Sequence, residues 1–111
     1  MSIRENNKTR FKARVQYWAK ILGAQVTSIS IRAMTTKWAS YSTTGRLTFD
    51  KSLLKMKKEL QDYVIVHELL HANIPNHGKL WKSLMRAHLG DYEKLENELK
   101  KIVGKKYLRR G

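Results

Sequence analysis

The chain has 111 residues, enough for one domain with a modest core and too few for two. It contains no cysteine, which excludes disulfides and thiolate metal sites and leaves His, Asp and Glu as candidate metal ligands. No apolar run approaches the roughly 20 residues of a membrane span, and Met1–Arg10 lacks the apolar stretch of a signal peptide. We therefore expect residues 1–111 to form a single cytoplasmic domain that makes no membrane contact.

The basic charge is the strongest compositional feature. Lys and Arg number 23 against 9 Asp and Glu, which gives a net charge of +14. Such a field attracts phosphate backbones and acidic surfaces without sequence preference. No aromatic-rich nucleic-acid motif accompanies it. Non-specific contact with nucleic acid is therefore one hypothesis, and a solvated basic surface is the simpler interpretation.

The first half of the chain predicts one helix and a small sheet. Gly23 is placed to end an amphipathic helix, whose apolar positions are Phe11, Val15, Trp18 and Leu22. Ser28–Arg32 then alternates polar and apolar residues, and Lys37–Ser42 and Arg46–Asp50 flank a hairpin turn at 43–45. We expect two or three short strands.

The next segment predicts a long helix from about Met56 to Asn73. Between Tyr63 and Leu70 it is apolar nearly all round, so it must be buried on most sides. Pro75 cannot continue this helix.

Two further helices complete the predicted α+β fold. Asn76 can cap the first of them, and one face of that helix carries Trp81, Leu84, Met85 and His88. The apolar positions of the last helix are Leu95, Leu99, Ile102 and Val103. A basic tail is expected at about 104–111.

The buried helix contains the motif HExxH, formed by His67, Glu68 and His71. Histidines four apart on a helix lie on one face, with Cβ atoms about 5–6 Å apart, so both rings can reach one metal ion. Glu68 is rotated by about 100° from His67, where it can act on water as a general base without being a ligand. Burying two histidines and a glutamate on such a helix costs free energy, so their presence there indicates a function.

A catalytic zinc site needs a third protein ligand, with water in the fourth position. His77 is the leading candidate, because a chain turning after Ile74 can bring the first residue of the next helix back over the metal. The spacing of His67, His71 and His77 also fits the metzincin pattern HExxHxxGxxH, but Ile74 stands where glycine is expected. His88 lies on an apolar face and is interpreted as a packed residue.

The sequence DYVIVHELLH from Asp62 to His71, together with Asn76–His77 and Trp81, resembles the YgjP-like zinc metallopeptidases. The resemblance runs from about Phe11 to Val103. It extends more distantly to the WLM and SprT-like (Spartan) proteases, and in size to minimal gluzincin-type peptidases. It implies a zincin-like domain that binds one Zn²⁺ through His67, His71 and His77, with Glu68 as the catalytic base.

The substrate side follows from a smaller set of residues. In Lys37–Tyr41, Trp38 and Ser40 match the family's segment, and Asp50 stands where the family usually has Asn. We expect a peptide or unfolded protein to pair with the strand from Trp38 to Ser42, contacting Trp38, Ser40 and Tyr41. A core position for Trp38 is an equal alternative. Tyr41 or Arg86 could stabilise the oxyanion.

The sequence therefore predicts a zinc-dependent endopeptidase that hydrolyses peptide bonds with Glu68-activated, zinc-bound water. The alternative is a basic nucleic-acid-binding or peptide-binding module with a non-catalytic zinc site. Structural zinc sites usually have four ligands and often include cysteine, which favours the enzyme. Self-association through insertion of the basic tail into a neighbour's cleft is a further hypothesis.

Overall fold

The computed structural model describes residues 3–71, 74 and 77–103, without the side chains of 3–6 and 103. This part of the chain has the predicted α+β fold. Its elements are the helices α1 (Ile3–Leu22), α2 (Lys58–Leu70), α3 (Lys79–Leu89) and α4 (Tyr92–Val103), and the strands β1 (Ser28–Arg32), β2 (Ala39–Tyr41) and β3 (Arg46–Asp50). Among them, no helix is long and apolar enough to cross a bilayer.

Helix α1 packs its predicted apolar face into the core. Phe11, Val15 and Trp18 are all buried. Gly23 adopts a φ of +67°, and the amide of Ala24 donates to the carbonyl of Ala19 at 2.9 Å. This left-handed residue after the helix is the predicted glycine stop, because other residues adopt a positive φ only at a cost.

The sheet has the strand order β1-β3-β2. Strands β2 and β3 form the predicted antiparallel hairpin, with Tyr41 opposite Leu47, whereas β1 runs parallel to β3. Strand β2 is shorter than the predicted Lys37–Ser42. Backbone hydrogen bonds nevertheless continue at both of its ends, from Asp50 N to Trp38 O at 2.8 Å and from Ser42 N to Arg46 O at 3.0 Å.

Asp50 ties the end of β3 to its neighbours. Its Oδ1 accepts from the amide of Met34 at 2.7 Å, and its Oδ2 accepts from the amide and hydroxyl of Ser52. The carboxylate thereby caps a 3₁₀ helix over Lys51–Lys55, which the sequence did not predict. Asp50 is 3% exposed, and its carboxylate serves this junction.

Helix α2 begins at Lys58, two residues after the predicted start, because Met56 closes the 3₁₀ helix by donating to Leu53 O at 3.1 Å. The helix is buried on most sides, as predicted. Its described part ends at Leu70, and the predicted end at Asn73 lies outside the described residues.

The last two helices depart from the prediction in detail. Helix α3 begins after Gly78 as its N-cap residue, and the predicted cap, Asn76, lies outside the described residues. On α4, Leu99 is fully buried, whereas Ile102, another apolar position of the predicted helix, is 58% exposed. Helix α4 packs against α2 and α3, and its described side chains after Leu99, at 100–102, are exposed. The basic tail at 104–111 lies outside the described residues.

A buried carboxylate joins α1 to α2. Asp62 accepts two hydrogen bonds from the guanidinium of Arg14, at 2.7 and 3.0 Å, and one from Trp18 Nε1 at 2.9 Å. This bidentate pair also raises the pKa of Arg14. Because Asp62 lies on α2 five residues before His67, the contact sets the position of the helix that carries the motif.

We expect Asp62→Asn to lower the free energy of unfolding by about 1–3 kcal/mol, the range for a buried, charge-assisted hydrogen bond. Urea denaturation measures the change. Glu98→Gln is the matched control, because Glu98 pairs with Lys57 at 2.7 Å on an exposed surface, where such pairs contribute little. Equal stability of the two variants would contradict this role of Asp62.

Candidate metal centre

Helix α2 presents His67 and Glu68 in different environments. His67 is 1% exposed, whereas the side chain of Glu68 is 13% exposed. Glu68 Oε2 lies 3.7 Å from His67 Nδ1, too far for a hydrogen bond. The carboxylate therefore lies beside the imidazole without being tied to it.

His71 ends helix α2 as its C-cap residue. Its Nδ1 lies 3.2 Å from the carbonyl oxygen of Ile74. Because a carbonyl can only accept, this contact requires the proton on Nδ1 and leaves a lone pair on Nε2. A backbone contact that sets the tautomer and ring orientation in this way is typical of metal-binding histidines.

His77 comes from the segment before α3. The expectation that it is the first residue of that helix is wrong, because Gly78 is the N-cap and the helix starts at Lys79. His77 nevertheless returns to α2, as expected, with its Nε2 3.0 Å from His71 Nε2. Nitrogens bound to one tetrahedral zinc are roughly 3.3 Å apart for Zn–N bonds of about 2.0–2.1 Å.

The structure brings the three predicted histidines together. One ring nitrogen from each of His67, His71 and His77 lies within 4.8 Å of the other two. In addition, Nδ1 of His67 is buried and has no hydrogen-bond partner among the described residues. A buried nitrogen in that state is costly, and three imidazoles form a donor set suited to a transition-metal ion. The site therefore fits a metal.

The electrostatics of the cluster favour the neutral ligand form of His77. Desolvation, reinforced by the positive charges of His67 and His71 when these are protonated, lowers the pKa of His77 to about 4, although part of its surface is exposed. Lys82 lowers this pKa further, and Glu96 raises it. Near neutral pH, His77 is therefore unprotonated and able to bind a cation.

Residues around the ligands include two that sequence reasoning did not assign to the site. Glu96 on α4 accepts a hydrogen bond from the hydroxyl of buried Tyr63 at 3.1 Å, and the Tyr63 ring centroid lies 5.7 Å from that of His67. No local signal could have joined residues 33 positions apart.

The expected substrate residues lie on β2 and next to it. Trp38 is 2% exposed and belongs to the core, the alternative that the sequence left open. Ser40 is half-buried opposite Thr48 in the hairpin, and the hydroxyl of Tyr41 donates to the carbonyl of Gln25 at 2.5 Å. Strand β2 is the edge of the described sheet beside α2.

The remaining sequence candidates are engaged elsewhere. The guanidinium of Arg86 contacts Glu93 at 3.4 Å and lies over the ring of Tyr92. His88 packs edge-on against Trp18, with ring centroids 6.0 Å apart. The interpretation of His88 as a packed residue agrees with this contact.

Comparisons with known proteins place this site in a known fold. The chain matches the family described as YgjP-like, metallopeptidase domain, over residues 2–102. It is similar to the metallopeptidase zymogen jannalysin of Methanocaldococcus jannaschii, with 33% identity and a TM-score of 0.70 over 83% of this chain and 93% of that one. It is also similar to the metallopeptidase zymogen abylysin of Pyrococcus abyssi, with 21% identity and a TM-score of 0.73 over 88% and 99%. No protein with a curated description matches.

The lowered pKa of His77 predicts acid sensitivity of the metal-free protein. Between the ordinary value of 6.5 and the folded value of about 4, the unfolded state binds a proton that the folded state does not. The contribution of His77 to the stability of the folded protein is therefore complete above pH 6.5 and is lost as the pH falls toward 4. When the pH is lowered from about 7.5 to about 5, the melting temperature of His77→Gln should fall less than that of the wild type. The melting temperature of His88→Gln should fall as much as that of the wild type. Equal losses in the wild type and His77→Gln would contradict the assignment.

Proposed function

This chain belongs to the YgjP-like metallopeptidase family, and we propose that it is a zinc-dependent endopeptidase with His67, His71 and His77 as ligands. The observation that carries the proposal is the convergence of the three ring nitrogens within 4.8 Å. Three neutral imidazoles suit zinc and leave a coordination position for water or substrate, as in catalytic sites. The proposal treats residues 1–111 as a single catalytic domain.

A zinc ion bound by these ligands would polarise the scissile carbonyl and lower the pKa of water. Glu68 then has the role of general base: its carboxylate takes the proton of the attacking water and returns it to the leaving amine. The absence of a hydrogen bond between Glu68 and His67 supports this role, because the carboxylate stays available for water. The histidines contribute as neutral ligands.

The proposed substrate is an extended peptide or unfolded protein. Strand β2 lies at a sheet edge, where a peptide can add as a further strand. Ser40 can contribute to this surface, whereas Trp38 would support it from the core. Tyr41 would have to release the carbonyl of Gln25 before it could contact a reacting oxygen.

Other sequence-based expectations stay predictions. Beyond the net charge of +14, no feature of residues 3–71, 74 and 77–103 points to nucleic acid. Self-association through the basic tail and a cytoplasmic location also stay predictions.

The ligand assignment predicts that His77→Ala weakens zinc binding sharply, because an open three-ligand site would lose one of its donors. Zinc affinity is measured by competition with a chelator. His88→Ala is the control and should bind zinc as the wild type does. Full zinc affinity in His77→Ala, or its loss in His88→Ala, would refute the assignment.

The base assignment predicts that Glu68→Gln keeps zinc and its melting temperature but loses peptide cleavage by about 10² to 10⁴-fold, the usual effect of removing an acid–base group. The amide retains the shape of the side chain and lacks its basicity. Cleavage of a quenched peptide mixture measures the loss, beside zinc content and melting curves. Glu59→Gln, in the exposed first turn of the same helix, should cleave normally.

Two results would count against the base assignment. Equal cleavage by Glu68→Gln and the wild type would exclude Glu68 as the base. A parallel loss of zinc, stability and cleavage would assign Glu68 a structural role.

A further inference from the structure

The third ligand of the proposed site is fixed differently from the other two. His67 is held by helix α2, and His71 by the same helix and the carbonyl of Ile74. His77 lies outside both helices, before the N-cap residue Gly78. Helical hydrogen bonding therefore does not set the direction of its side chain. Some other contact must do so if the ring is to meet the metal in one orientation.

Among the rings that the structure describes, that of Trp81 lies closest to the ring of His77. The two rings are stacked, with centroids 3.9 Å apart and planes 15° apart. This separation is shorter than the 4.9 Å between His77 and His71 or the 5.1 Å between His77 and His67. A stacked ring fixes both the position and the tilt of its partner, which a single nitrogen contact cannot do.

Trp81 is itself immobilised. Its side chain is 2% exposed on the inner face of α3. The ring of Tyr92 packs edge-on against it at 6.0 Å, and the ring of His67 does the same at 5.3 Å. The indole therefore links the loop ligand to the helical ligand and to the start of α4.

We propose that Trp81 is a positioning residue, which holds the ring of His77 in the orientation for metal binding. The inference rests on the proposed function, because it requires His77 to be a ligand. Stacking restricts the rotamers of His77 before the ion arrives, and a pre-oriented ligand loses less conformational entropy on binding. The electron-rich face of the indole also favours a ring that becomes more positive when it binds a cation.

The test is the zinc affinity of the full-length chain, measured by chelator competition. Trp81→Leu removes the stacking face but keeps an apolar side chain, and should weaken zinc binding roughly 10- to 100-fold, as loss of a supporting contact does. Trp81→Phe keeps a ring and should lose less. Phe11→Leu is the matched control, because Phe11 is also a buried aromatic residue but packs against Phe49. It should lose stability and retain zinc affinity.

A double-mutant cycle separates positioning from general damage. If Trp81 acts through His77, adding Trp81→Leu to His77→Ala should weaken zinc binding no further. An unchanged affinity in Trp81→Leu, or a full additional loss in the double variant, would overturn the inference. His77→Ala with wild-type affinity would instead refute the proposed ligand set, and with it the role of Trp81.

Tryptophan emission gives a second readout if Trp81→Leu does not fold. Zinc should change the emission of the wild type and of Trp18→Phe, because ligation alters the ring stacked on Trp81, and should change that of Trp81→Phe much less. The same change in Trp81→Phe as in the wild type would overturn the inference.

Discussion

The structure depends on holding His67 and Glu68 on a helix that is buried on most sides. His67 is 1% exposed and Glu68 lies next to it on α2. In an apolar interior such groups are costly unless each has a partner. A metal ion would be such a partner for His67, because the ring nitrogens of His71 and His77 lie close enough to bind the same ion. Only His67 is buried among the three, whereas His71 is half-buried and His77 is exposed, so the cluster opens from the core toward solvent.

The rest of the fold holds the buried helix in place. Asp62 joins α2 to α1 through Arg14 and Trp18, and Asp50 joins the sheet to the segment that leads into α2. Both carboxylates are nearly fully buried and bonded. Neither acts on substrate in the proposed mechanism, yet each limits how far the motif can move relative to the edge strand β2.

The site itself combines rigid and locally held parts. Two ligands come from one helix, where the spacing of the backbone brings them to one face. The third comes from a connecting segment, and its ring lies between His71 and the indole of Trp81. Glu96 on α4, which accepts a hydrogen bond from Tyr63, raises the pKa of His77. Lys82 on α3 lowers it. The α3 and α4 helices thus complete a centre that α2 begins.

The sequence by itself determined the features that depend on local spacing. It located α1 with its Gly23 stop, the bounds of β1 and β3, the buried helix, and the histidines that converge, because helical and strand periodicities are properties of neighbouring residues. Only the tertiary structure decided the parallel pairing of β1 with β3, the start of α3 after His77, the exposure of Ile102, and the contacts of Trp81 and Glu96. These depend on which distant elements pack together, and a period within one element carries no information about the partner that it meets.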